Sequence, residues 1–131
     1  MPHIVGLGVD LTHIPRFRKL LTEQKRGVLE RIFTPGELDY AMPKKNPAPH
    51  LAARFAAKEA FLKALGTGLR DGLSWQDMDV RRDKLGKPSL HLSGKAAEMI
   101  ASRDVIALHL SYSHDGDYAT ATVILERACD C

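Results

Sequence analysis

The sequence predicts an α+β fold, with an antiparallel sheet packed against helices, on three observations. The first half of its 131 residues places apolar side chains at helical spacing. The second half holds two pairs of short alternating segments joined by turn residues, the pattern of β-hairpins. A strand-like segment opens the chain, and neither a linker nor an internal repeat divides the remainder, so residues 1–131 are read as one domain.

At the start, "HIVGLGVDL" (3–11) alternates apolar positions around two glycines, as a buried strand beside a close backbone approach does, and Asp10 is expected at its end. Pro15 suits the first turn of a helix in which Ile14, Phe17, Leu20 and Leu21 keep helical spacing. "TPGE" (34–37) is a capping box with proline at the first helical position, predicting a second helix from Thr34 to about Met42. "PKKNPAP" (43–49) breaks it. A third helix is expected from about Ala48 to Leu65, stopped by Gly66. "MDVRRD" (78–83), a turn at "KLGKP" (84–88) and "SLHL" (89–92) predict a hairpin, followed by a short helix over 94–102. "VIALHLSYSH" (105–114), Asp115-Gly116 as turn and "YATATVILE" (118–126) predict a second.

Composition excludes several classes. With 44% hydrophobic and 27% charged residues the chain can bury a real core. Its apolar runs fall far short of a membrane span, and its N-terminus lacks the charged start and apolar stretch of a signal peptide, so a cytoplasmic protein is expected. Cys129 and Cys131 form a C-x-C that could bind metal, but two thiols in a terminal tail are read as inert. The net charge is +3. Arg16, Arg18, Lys19, Lys25 and Arg26 stand against the single acid Glu23, as either a solvated helix face or a docking surface for nucleic acid, membrane or an acidic protein.

The third helix raises a sharper question. On a helical wheel Leu51, Phe55 and Leu62 form one side and Ala53, Ala57, Ala60 and Ala64 another, with Arg54, Lys58, Phe61 and Leu65 on the rest. Glu59 and Lys63 fall in the narrow stripe between the first two. They are either an ordinary i,i+4 pair, contributing about 0.2–0.5 kcal/mol, or a carboxylate and an ammonium facing a partly closed pocket. Asp10 is a turn or cap residue, or a second carboxylate that with Glu59 holds Mg²⁺ against phosphate oxygens. His114 is an accessible surface histidine or a phosphate contact. "GLG" (6–8) and "GTG" (66–68) permit close approach to a phosphate, but neither is a P-loop or a dinucleotide fingerprint.

Taken together, "GLGVDLTHIPRF", "RFAAKEAFLKALGTG", "GKP" (86–88) and "LSYSHDGDYATATVIL" resemble the bacterial holo-acyl-carrier-protein synthases, the short 4′-phosphopantetheinyl transferases, over nearly the whole chain. The resemblance implies that fold, and transfer of the phosphopantetheine arm of coenzyme A to a serine of an acidic apo-acyl carrier protein in fatty acid biosynthesis. By the same resemblance, adenosine 3′,5′-bisphosphate would be released. It further implies that Asp10 and Glu59 are Mg²⁺ ligands and that Lys63 stands beside the diphosphate, these three being catalytic. Arg54, Lys63, Gly66, Pro88 and His114 would line the coenzyme A site, and Arg16, Arg18, Lys19, Lys25 and Arg26 the carrier-protein docking face. A homotrimer with shared active sites is implied, without nucleic-acid or membrane partners. His13 stands where relatives often carry glutamate.

Overall fold

The computed structural model describes residues 3–129, so Cys131 lies outside the described residues. Strand β1 (Ile4–His13) pairs antiparallel with β5 (Tyr118–Arg127), which pairs with β4 (Val105–Asp115) in a three-stranded sheet of order β1-β5-β4. Strands β2 (Met78–Arg82) and β3 (Pro88–Leu92) form a separate two-stranded sheet rather than extending the first. Between β1 and β2 lie α1 (Ile14–Thr22), α2 (Arg26–Ile32), α3 (Pro35–Ala41), α4 (Pro47–Leu65) and a 3₁₀ turn at Trp75–Asp77; α5 (Gly94–Ser102) joins β3 to β4. Among the described residues no helix is long and apolar enough to cross a membrane.

Most expected boundaries are met within a residue or two, and the departures have local causes. The capping box forms as expected: Glu37 N–H donates to Thr34 Oγ1 and Thr34 N–H to Glu37 Oε1. Gly66 ends α4 in the left-handed region, at φ 79°. Helix α2 is not expected from the sequence because its seven residues include a glycine and have no side-chain N-cap. It is held from outside, by burial of Leu29 and by Gln76, whose amide donates to the carbonyls of Glu30 and Phe33. The β4–β5 turn falls one residue later than expected, Asp115 pairing with Tyr118 across Gly116-Asp117, with Gly116 at φ 59°.

Helix α4 lies on β1 and β5 and belongs to two apolar cores. Its first half packs with Ile14, Phe17, Leu29, Phe33 and Leu38 of the helical layer, its second half with Met78, Val80, Val123 and Leu125 of the strands. Every residue from Leu51 to Leu65 is buried except Glu59 and Lys63. The glycines of "GLG" serve this packing rather than a phosphate. A Cβ on Gly6 or Gly8 would overlap the backbone carbonyl oxygens of Ala64 and Ala60, so strand and helix come together only because one side offers glycine and the other alanine.

Candidate active site

Asp10 does not end its strand. β1 runs on to His13, and Asp10 sits inside it opposite Ala121, so the turn or cap reading is excluded. Its side chain points to the α4 face, where it is largely buried: Oδ2 accepts from Thr12 Oγ1 at 2.6 Å and Oδ1 from Lys63 Nζ at 3.1 Å. Lys63 therefore bonds across to the strand, and it forms no ion pair with Glu59 among the described residues. Thr120 Oγ1 donates to the Asp10 carbonyl and ties the spot to β5.

Glu59 lies one turn before Lys63 and is half-buried. Burial, and after it the negative charge of Asp10, raise its pKa against the opposing pull of Lys63 and Arg16. The two carboxylates are thus close enough to repel, and a divalent cation between them would relieve that repulsion. Among the described residues no three His, Cys, Asp or Glu side chains converge to enclose a metal. A pair of hard carboxylate oxygens left to share an ion with water and phosphate fits Mg²⁺, which takes one or two protein carboxylates in this way.

On α1, Arg16 lays its guanidinium over the Phe55 ring, 4.8 Å from its centroid, and contributes positive charge at Glu59. The basic run otherwise separates. Arg18 and Lys19 lie on α1, whereas Lys25 immediately precedes α2 and Arg26 opens it. Arg18 pairs loosely with Asp117 at 3.7 Å, and Arg26 with Glu30 at 2.8 Å. Beside them an apolar groove of about 180 Å³ is lined by Leu20, Leu21, Leu29 and Met42, with Lys25 and Arg26 at its rim.

The other residues of interest form a second cluster further toward the start of α4. Arg54 is 2% exposed; its Nη1 donates to the His50 carbonyl and its Nε has no hydrogen-bond partner among the described residues. It shares a cleft of about 180 Å³ with His114, His50, Arg82 and Tyr112. Gly66 is at the far end of α4, next to Lys63, and Pro88 opens β3 opposite Arg82, so neither lines that cleft. Sequence reasoning missed Tyr40, His50 and Arg82, which come together only in space. It also missed the buried pair of Lys58 and Glu37, at 2.7 Å. The one trace of these in the sequence was the capping-box glutamate, which here bonds Lys58 and the Val80 N–H as well as its own helix end.

Residues 6–123 match the family model of the 4′-phosphopantetheinyl transferase superfamily. The chain is 58% identical to a holo-[acyl-carrier-protein] synthase of Syntrophotalea carbinolica over 96% of its own length and 98% of the relative's. Among solved structures it is similar to the holo-[acyl-carrier-protein] synthase of Neisseria meningitidis, with TM-score 0.84 and 35% identity over 95% of this chain and 99% of that one. It is also similar to the Bacillus anthracis synthase solved in complex with CoA (3′,5′-ADP), with TM-score 0.79 and 38% identity over 97% of this chain and 100% of that one.

Proposed function

Since this chain belongs to the holo-[acyl-carrier-protein] synthases of the 4′-phosphopantetheinyl transferase superfamily, we propose that residues 1–131 act as one Mg²⁺-dependent transferase domain. It moves phosphopantetheine from coenzyme A to an acidic apo-acyl carrier protein, in the cytoplasm and for fatty acid biosynthesis. The observation that carries the site assignment is the Lys63–Asp10 contact between α4 and β1, with Glu59 beside it. An accidental i,i+4 pair does not bridge two elements.

In the reaction the carrier serine oxygen bonds to the β-phosphorus of coenzyme A, the bond from that phosphorus to the bridging diphosphate oxygen breaks, and adenosine 3′,5′-bisphosphate departs. Catalysis of this kind rests on positioning and on stabilising charge. Asp10 and Glu59 would hold Mg²⁺, which when bound neutralises and orients the diphosphate oxygens. Lys63, half-exposed beside Asp10, presents its ammonium to the departing 5′-phosphate. The serine proton is taken up by Glu59 itself or by a water held beside it. Buried Arg54 with its open Nε, together with His114, gives the nucleotide end a cationic cleft. Gly66, beside Lys63 at the end of α4, and Pro88, opposite Arg82, lie outside that cleft and would meet other parts of the donor. Arg16, Arg18 and Lys19 on α1, with Lys25 and Arg26 at the Leu20–Met42 groove, suit an acidic, amphipathic partner helix.

The assembly proposed is a homotrimer. Leu7, Val9 and Leu11 alternate along β1 on the sheet face away from α4 and are 63%, 56% and 64% exposed, with Ile106 likewise uncovered. An apolar sheet face of this kind is costly in water. Its burial between copies would let the Asp10 cluster of one subunit meet the Arg54 cluster of another. The test of the activity is direct: incubation with coenzyme A, Mg²⁺ and an apo-carrier protein should add one phosphopantetheine by intact mass, and an unmodified carrier would overturn the reading.

A further inference from the structure

Tyr40 stands at the centre of a concentration of positive charge that the transfer chemistry does not call for. The Arg54 guanidinium lies 4.2 Å from its ring centroid, Lys44 Nζ 4.5 Å and the Arg82 guanidinium 5.8 Å. Arg82 Nη1 also donates to Tyr40 Oη at 2.8 Å, and the His50 ring meets Tyr40 edge-on at 5.7 Å. Three cations around one aromatic ring repel one another. The ring's negative face attracts each of them and so offsets part of that repulsion. The surplus is felt by both neighbours. The pKa of His50 is lowered, by burial first and then by Arg54, Lys44, His114 and Arg82. Burial works to raise that of Tyr40, yet Arg82, Lys44 and Arg54 outweigh it and leave it lowered.

The cluster opens on two sides. Arg54 lines both the cleft shared with His50, Arg82 and His114 and a second cleft of about 340 Å³ shared with Tyr40, Arg81 and Arg82. Asp79, the carboxylate lining that second cleft, is taken up by Thr34 and Arg81. Arg54 Nε, nine-tenths and more buried, has no acceptor among the described residues. Cations held together without a matching anion, with a buried donor left open, form a site awaiting an anionic group.

Resting on the coenzyme A reading, we propose that Tyr40 is a positioning residue for the nucleotide end of the donor. Its ring and hydroxyl hold Arg54, Lys44 and Arg82 in one cradle for a phosphomonoester, and through that cradle it sets the preference for coenzyme A over its 3′-dephospho form. Tyr40 itself touches no reacting atom. The effect of its loss therefore belongs in the KM for the phosphorylated donor and in the selectivity ratio, not in kcat.

The experiment measures steady-state transfer with coenzyme A and with 3′-dephospho-coenzyme A for wild type, Tyr40→Phe and Tyr40→Leu. Removing the ring should raise KM for coenzyme A roughly tenfold, the loss of about one well-formed charged contact. KM for the dephospho donor and for the carrier protein should stay put, so that discrimination collapses. Tyr40→Phe, which keeps the ring and loses only the Arg82 bond, should lie between. Equal rises for both donors, or no change for either, would overturn the proposal. If Tyr40→Leu does not fold, Tyr40→Phe and Arg82→Gln carry the same comparison. A wild-type enzyme that transfers from both donors without preference sinks the proposal and leaves the transferase reading intact. No transfer from either donor sinks both.

Discussion

Lys63 Nζ lies 3.1 Å from Asp10 Oδ1, joining the buried helix α4 to the strand that opens the chain. Glu59, one turn away on the same helix, is left without an ion pair among the described residues, with a raised pKa. A surface i,i+4 pair would have left Asp10 apart and made the two helical residues each other's partners. Glu59 and Lys63 interrupt an otherwise buried helix because they face across it to a third charged residue.

Asp10→Ala and Glu59→Ala should each abolish transfer, and the double variant should be little worse than either, since residues acting as a unit are not additive. Mg²⁺ should raise the thermal midpoint of the wild-type protein and not that of Asp10→Asn, because a ligand that binds only the folded state stabilises it. Undiminished transfer in excess EDTA would dismiss the metal assignment.

Glu59→Gln should make the metal-free protein more stable at neutral pH. The folded pKa of Glu59 is raised above 4.5, so the fold holds the proton more tightly than the unfolded chain. The stability linked to this group is full below the unfolded pKa and is lost as pH rises through the folded one. At pH 7 the ionised side chain is a net cost that glutamine removes. Thermal melts of both proteins from pH 4 to 8 in EDTA should diverge as pH rises, and a lower midpoint for the variant would count against a strained carboxylate.

Lys63→Ala should cut turnover strongly yet cost little stability, about 1 kcal/mol or less, because the ammonium is half-exposed. Lys63→Arg keeps the charge but alters its shape and reach, and should recover only part of the rate. Urea titration beside kcat separates the two effects. Lys58→Met should behave in the opposite way. It would strand Glu37 at a wholly buried site and cost about 3–5 kcal/mol.

Arg16→Glu should raise KM for the carrier protein many-fold. Moderate salt should weaken carrier binding, since the Debye length falls from about 30 Å at 0.01 M to about 10 Å at 0.1 M. Arg26→Ala should matter less, because Glu30 already engages that side chain. Titrating carrier and coenzyme A against each variant distinguishes docking from a general loss of the site. Tight, salt-dependent binding of DNA or RNA with none of the carrier would favour a nucleic-acid module instead.

Leu7→Asp or Leu11→Asp should yield a monomer by light scattering, with little transfer. If sites are shared between copies, mixing Asp10→Ala with Arg54→Ala chains should restore measurable activity that neither has alone. A fully active monomer would remove the shared-site proposal.

The sequence alone determined the elements whose signals are local. The capping box at Thr34 and Glu37, the glycine stop at Gly66 and the alternation of the last hairpin each act within a few residues, so their physics is written in neighbouring letters. The charged letters of the site were legible too, but not their relation. Whether Glu59 paired with Lys63 or faced Asp10 depended on the depth at which β1 packs on α4, which Gly6, Gly8, Ala60 and Ala64 set jointly. Only the tertiary structure decided that β1 continues past Asp10, that α2 forms without a cap of its own, and that Glu37 meets Lys58. It also decided that Lys44, Arg54 and Arg82 gather around Tyr40. Each of these depends on burial or on charge shared between distant segments. Such forces act through space, and separation along the chain says nothing about them.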